Sequence, residues 1–317
     1  MIDPFTAELT PSRTLHRAGT TTRQVRRLVD DGVFVRVRRG VLARGDEWRA
    51  LRPEGRAIVR ARAWASVAGD EPLFSHTTAA AVHGLPLFRT RSDTVHTVIS
   101  ESRKGQTPGV ARHRGELDAG VTRVRGLLLT DLARTMADVA RSESAETAVT
   151  VADAALRSAS RSADHPRVVV LRQRALDHAA ALARGGKRSA RIIEFADPRA
   201  QLPGESVSRL YLLRLGFASP RLQVEVPGPR GIRYFVDFGL DDVDAFGEFD
   251  GEGKYLDPRY LNGRTSEQAL LEEKWREDWI RGTTQRRYAR WGSAHIVTAQ
   301  TLGARLAQFS IVPARRA

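Results

Sequence analysis

Four acids and a lysine in the last third of the chain have the types and spacing for metal-assisted phosphodiester chemistry. Glu205 stands at the start of a predicted helix, in Gly204-Glu205-Ser206. Asp237 follows in Tyr234-Phe-Val-Asp237-Phe238, and Glu248 and Asp250 in Phe246-Gly-Glu248-Phe-Asp250-Gly251, with Lys254 just beyond. Leu222 to Val226 alternates as a strand does. Ile232 to Leu240 and Ala245 to Asp250 are β-branched and aromatic enough for two more. Alternation puts Glu248 and Asp250 on one face and Phe249 on the other, and turns Asp237 away from Val236 and Phe238. An aspartate inside an apolar strand is costly to bury unless a cation or a donor meets it. Converging carboxylates repel one another and are stable around a divalent cation, and oxygen donors suit Mg²⁺ or Mn²⁺. Such an ion activates water and neutralises charge on a phosphodiester. Lys254 would orient that water or steady the developing charge. A surface hairpin carrying solvated acids explains the same spacing, and the residues alone leave both readings open.

A helix glutamate, a strand aspartate and a following glutamate with a lysine nearby resemble the restriction-endonuclease-like PD-(D/E)XK core. The string GEFDGEGKY is similar to Vsr-like nuclease domains, and the likeness covers about residues 203–306. The resemblance implies a metal-dependent endonuclease in which Glu205, Asp237 and Glu248 bind the ion, and Asp250, on the same strand face as Glu248, is read as a further metal ligand. That family places a lysine two residues after the second acid, whereas this chain has Asp250 there. Lys254, or Lys274 on the next helix, would have to replace it.

The elements that must position these residues belong to a chain of 317 residues, with room for two or three domains. No apolar run approaches the length of a membrane span, so no membrane partner is expected. The segment MIDPFTAELTPSR lacks a signal-peptide pattern. Zero cysteines exclude disulfides, thiolate metal sites and cysteine nucleophiles, which suits a cytoplasmic protein. The net charge of +14 is uneven. Residues 1–200 carry 34 basic and 22 acidic side chains, a net +12, against 17 and 15 in residues 201–317, a net +2. A polyanion, most simply double- or single-stranded DNA, is the partner this implies, although a solvated arginine-rich surface has the same composition.

The first fifty residues supply a way to hold DNA. Thr22 to Gly32 is an amphipathic helix with Val25, Leu28 and Val29 on one face, behind a cluster of threonine caps. Residues 33–42 make two strands bent at Arg39-Gly40. Short helix, helix and basic hairpin read as a winged helix-turn-helix, with Arg23, Arg26 and Arg27 toward a groove or phosphates and Arg36, Arg38 and Arg39 on the wing. A winged helix used for protein contacts has the same pattern. The string DDGVFVRVRRGVL resembles the N-terminal region of the AbiEi antitoxins. The likeness continues through Phe74-Ser75-His76-Thr77-Thr78 to Gly84-Leu85 and through Leu129-Thr130 to Arg134-Thr135 and Asp138-Val139-Ala140, over roughly residues 12–160. It implies a DNA-binding regulator of a toxin–antitoxin pair, with a cognate toxin or a repair partner.

His76 and His83, seven apart on one predicted helix, would face together, with His96 and His113 further on. Zinc needs a third ligand, and no Cys or well-spaced Glu offers itself. These histidines read instead as loop-bonding and packing residues. Arg134 and Asp138 read as an ion pair one turn apart. Val95 to Ile99 and Val121 to Leu128 are expected strands, and His295 to Ala299 a last one. Arg286, Arg287, Arg290 and Trp291 form a basic-aromatic patch suited to a DNA strand or a snorkelling edge.

The expected fold is an α+β multidomain chain: a winged helix-turn-helix at 1–50, an AbiEi-like α/β middle domain at 51–143, a helical connector at 144–200, and a restriction-endonuclease-like α/β/α core at 201–317. The expected function is DNA binding with metal-dependent endonuclease activity in repair or defence. The alternative is a non-enzymatic regulator whose nuclease-like domain is inactive.

Overall fold

The computed structural model describes residues 2–90, 93–100, 107–251 and 265–314. Mixed α/β structure divides into two units: residues 1–159 with 164–196, and residues 160–163 with 197–317. The expected boundaries at residues 50 and 143 fall inside the first unit.

The first unit opens with β1 (Leu9–Pro11), α1 (Ser12–Arg17), α2 (Thr22–Asp30), β2 (Phe34–Arg38) and β3 (Val41–Arg44). Thr21 caps α2 through a reciprocal bond pair with Gln24. Gly32 then leaves the helix at φ +73, a conformation that costs glycine nothing. The strands form an antiparallel sheet in the order β1-β3-β2, and Val37, Val41 and Ala43 pack on Leu51, Val59 and Ala63. Helices α3 (Gly45–Ala50) and α4 (Pro53–Ala65) lead into a five-stranded sheet of order β6-β5-β4-β8-β7. Its members are β4 (Leu73–Phe74), β5 (Val95–Ile99), β6 (Val110–Arg114), β7 (Val121–Val124) and β8 (Leu127–Thr130), with α5 (His76–Val82) after β4. The single strand expected over 121–128 is a hairpin, because Arg125 and Gly126 turn at φ 46 and 86.

Helices α6 (Leu132–Ser142), α7 (Ala145–Ala159), α8 (Pro166–Ala180) and α9 (Gly186–Phe195) complete this unit. Val139, Val149, Ala152, Leu156, Ala175 and Ile193 are all fully buried. The segment expected as a helical connector therefore packs as part of this unit's core.

The second unit contains α10 (Pro203–Leu215), β9 (Arg221–Pro227), β10 (Arg233–Leu240), β11 (Ala245–Asp250), α11 (Ser266–Thr284), β12 (Arg287–Gly292) and α12 (Ala299–Ala307). The sheet order is β12-β11-β10-β9, antiparallel except for the β11–β12 pair. One face packs on α11, where Ile280 meets Val224, Val236, Phe246 and Tyr288. The other carries Trp291, which stacks on Phe238 and donates its indole N–H to Ser208 of α10 at 2.8 Å. The last strand is thus residues 287–292, one element earlier than expected. His295 lies in a 3₁₀ turn (Ser293–Ile296), since the basic-aromatic run itself alternates as a strand does.

Gly204 has no room for a side chain, because a Cβ there would lie 2.0 Å from the Phe249 ring. Phe249 is buried between the sheet and the first turn of α10. Gly204→Ala is expected to cost about 1–3 kcal/mol through overpacking. Urea unfolding followed by tryptophan fluorescence would show it as a lower midpoint, and a wild-type midpoint would contradict the packing.

Candidate functional site

Glu205 lies in the first turn of α10, where the helix dipole favours an acid. It is buried, and one carboxylate oxygen, Oε2, accepts the backbone N–H of Gln201 at 2.8 Å. Gln223 of β9 reaches the same oxygen with Nε2 at 3.4 Å, and the same Nε2 reaches Asp237 Oδ1 at 3.0 Å. The other Asp237 oxygen accepts the backbone N–H of Phe249 at 2.9 Å. Acids from α10 and β10 therefore meet over one amide group.

The backbone explains how Asp237 arrives there. Val236 packs toward Ile280, whereas Phe238 stacks on Trp291 on the opposite face, so strict alternation breaks at Asp237. Across the ladder Gln223 takes φ 51, a strained value for a residue other than glycine. Such strain costs on the order of 1–3 kcal/mol and clusters at functional sites. Sequence reading missed Gln223, although a polar residue amid Leu222, Val224 and Val226 was a signal.

Glu248 takes a different course. It is buried, and it pairs with Arg276 of α11 and with Arg290 of β12, the latter at 3.0 Å. Arg290 sits opposite Glu248 in the ladder and also approaches Asp250 at 3.6 Å. Glu273 joins both arginines. Burial alone would raise the Glu248 pKa, but Arg276, Arg290 and Tyr288 hold it below the usual carboxylate value. Glu248 and Asp250 share a face, as their spacing requires. Among the described residues, no three carboxylates bring their oxygens within 4.8 Å of one another. Lys254 lies outside the described residues, and Lys274 is exposed on α11.

Removing one partner of a buried ion pair leaves the other charge stranded. Arg276→Ala is therefore expected to destabilise the protein by about 3–5 kcal/mol. Its urea midpoint should fall well below that of Arg281→Ala, whose pair with Glu277 is more exposed. Equal midpoints for the two variants would contradict the assigned role.

The arginines expected on DNA divide into two groups. Arg23, Arg26, Arg36 and Arg39 are exposed on α2, β2 and the turn after β2, and Arg27 is exposed beside Asp31 at 3.6 Å. Arg38 is half-buried, with its guanidinium 4.3 Å from the Trp64 ring and its pKa lowered by burial. It is a packing residue of the first unit. Arg287 and Arg290 are also used within the fold. Arg287 donates to the carbonyls of Val243 and Ser310, and Arg290 binds the acids just described. A basic strand placed beside an acidic one is neutralised by it, which composition alone cannot reveal.

A second polar cluster lies in the first unit. His83 packs alone, its Nε2 2.8 Å from the Thr130 carbonyl. His76 instead meets His96 of β5 and His113 of β6, and donor atoms of all three lie within 4.8 Å of one another. The register pairs His113 with Val98, two residues beyond His96, so both imidazoles share one sheet face. Arg134 donates to the Ala119 carbonyl, and Asp138 lies 3.9 Å from His76 Nδ1 and 4.0 Å from the Arg141 guanidinium. Burial lowers His96 to about 4, and burial with the charges of His96 and Arg141 lowers His113 to about 4. His76 is driven down further, by burial first and then by the other two rings. Burial raises Asp138 to about 6 against the pull of Arg134 and Arg141.

These shifts fix a pH dependence. Between about pH 4 and 6.5 the unfolded chain binds protons on three histidines that the folded chain refuses, so acidification favours unfolding. Asp138 acts in the opposite sense over about pH 4 to 6, but it is one group against three. Stability is therefore expected to fall from pH 7 to pH 5, and His96→Gln should reduce the difference. Urea titrations at both pH values would test this, and an identical pH dependence in that variant would contradict it.

The fold and sites define a two-unit α/β protein, with a basic first unit and a second unit that gathers carboxylates around a small sheet. Over 196 residues the chain is 30% identical to Uncharacterized protein MT2308 and to Uncharacterized protein Rv2248, each from a strain of Mycobacterium tuberculosis. The match covers 62% of this chain and 69% of each relative. The chain belongs to the family of these mycobacterial proteins. No family model matches it.

Proposed function

We propose that the protein binds DNA through the exposed arginines of its first unit and hydrolyses phosphodiester bonds at Glu205 and Asp237 with a divalent cation. The observation that carries this reading is the meeting of two carboxylates from separate elements over the Gln223 amide, at 3.0 and 3.4 Å. The donor set fits Mg²⁺ or Mn²⁺, hard ions that are often held by one or two carboxylates with water and substrate phosphate. Glu205 and Asp237 would hold the ion, which supplies charge neutralisation and an acidified water. Gln223 spaces the two carboxylates, and the Phe249 N–H fixes Asp237. The resemblance to PD-(D/E)XK and Vsr-like domains supports the same assignment.

A second reading rests on the pairing of Glu248 with Arg276 and Arg290. An acid neutralised by two guanidinium groups is poorly available to an ion. That favours a DNA-binding regulator of AbiEi type with an inactive nuclease-like unit.

Incubation of plasmid or single-stranded DNA with Mg²⁺ or Mn²⁺ separates the two readings. Wild type should cleave, and Asp237→Ala and Glu205→Gln should each lose at least about a hundredfold in rate while retaining DNA affinity. Equal background cleavage in all three proteins would leave the regulator. Arg23→Ala combined with Arg26→Ala should weaken binding and reduce the slope of log K against log salt by roughly 1–2. Fluorescence anisotropy at several salt concentrations would measure it, and an unchanged slope would remove α2 from the interface.

A further inference from the structure

We propose that His76, His96 and His113 form a site in the first unit for one divalent transition-metal ion of the zinc type. The site is separate from the carboxylates of the second unit and does not depend on the nuclease reading.

Three independent elements deliver the imidazoles: the start of α5, β5 and β6. His96 Nδ1 lies 2.9 Å from His113 Nε2, and the His76 and His113 rings stack with centroids 3.6 Å apart. Tetrahedral Zn–N bonds of about 2.0–2.1 Å place donors roughly 3.3 Å apart. His96 and His113 are already at that scale, and a nitrogen of His76 completes the group within 4.8 Å. His76 holds its place at φ 51, a strained backbone for a non-glycine residue at the entry to a helix.

The surroundings supply an outer shell. His76 Nδ1 lies 2.9 Å from Ser75 Oγ, the kind of partner that orients a ligating histidine, and the Asp138 carboxylate stands 3.9 Å away. His76 Nε2 is 3.1 Å from the Arg141 guanidinium, which donates to it. A metal would displace Arg141, whose side chain is 28% exposed and borders a cavity of about 290 Å³. The cavity is also lined by His113, Arg134, Asp138 and His178. It leaves space for water in a fourth coordination position. Coordination lies in the plane of each ring and the three rings are near-parallel, so the rings turn out of their stacks as the ion enters. Three neutral nitrogens select Zn²⁺, Co²⁺, Ni²⁺ or Cu²⁺ over Mg²⁺.

The test uses the full chain stripped with a chelator. Titration calorimetry with Zn²⁺, and visible absorption with Co²⁺, should show one ion per chain at this site. Binding should persist in Asp237→Ala and be lost in His96→Gln and His113→Gln at unchanged circular dichroism. Arg141→Met, which removes the competing cation, should bind about tenfold more tightly. That gain does not depend on the histidine variants folding. No binding in wild type, binding that survives both histidine changes, or no gain in Arg141→Met would each overturn the proposal. A thermal midpoint raised by inorganic phosphate and not by Zn²⁺ would also overturn it, and would assign the cavity to an anion.

Discussion

Carboxylates held buried or half-buried around one small sheet are the constraint on which the second unit turns. Each acid near the sheet is met by something specific. Glu205 and Asp237 share the Gln223 amide, Asp237 also takes a backbone N–H, and Glu248 is gripped by two arginines. An acid left without such partners in this environment would shift its pKa or unfold the strand. The break of alternation at Asp237 and the strained Gln223 are what bring the first pair together. They divide the acids into a donor pair that fits a cation and a third acid that is already compensated.

Much of the second unit was legible from residue types. The strands at 221–227, 233–240 and 245–250 follow from alternation and β-branched content, and Glu248 and Asp250 do share a face. What alternation could not supply was the change of face at Asp237. A period of two predicts that Val236 and Phe238 lie on one side, whereas they pack on opposite faces, across the ladder from the left-handed Gln223. The sequence also could not distinguish an arginine that meets solvent from one that meets an acid. Arg287 and Arg290 look like a nucleic-acid patch until β12 is laid beside β11, where Arg290 faces Glu248.

The first unit shows the same limit with histidines. Spacing seven along one helix suggested His76 with His83, but a pairing between distant strands brings His96 and His113 to His76 instead. Local periodicity reports neighbours on one element, whereas this cluster is made by sheet register. Likewise the helices between residues 144 and 200 read as a connector. Their buried faces, many of them lined by small residues such as Ala152, Ala155, Ala175 and Ala179, form a core with α6.

The most direct measurement of the central claim is an anomalous difference map from a crystal soaked in Mn²⁺. The account predicts a peak between Glu205 and Asp237, with oxygen distances of roughly 2.0–2.3 Å and the Gln223 amide moved aside. A map with no peak there, and with Gln223 still spanning both carboxylates, would contradict it.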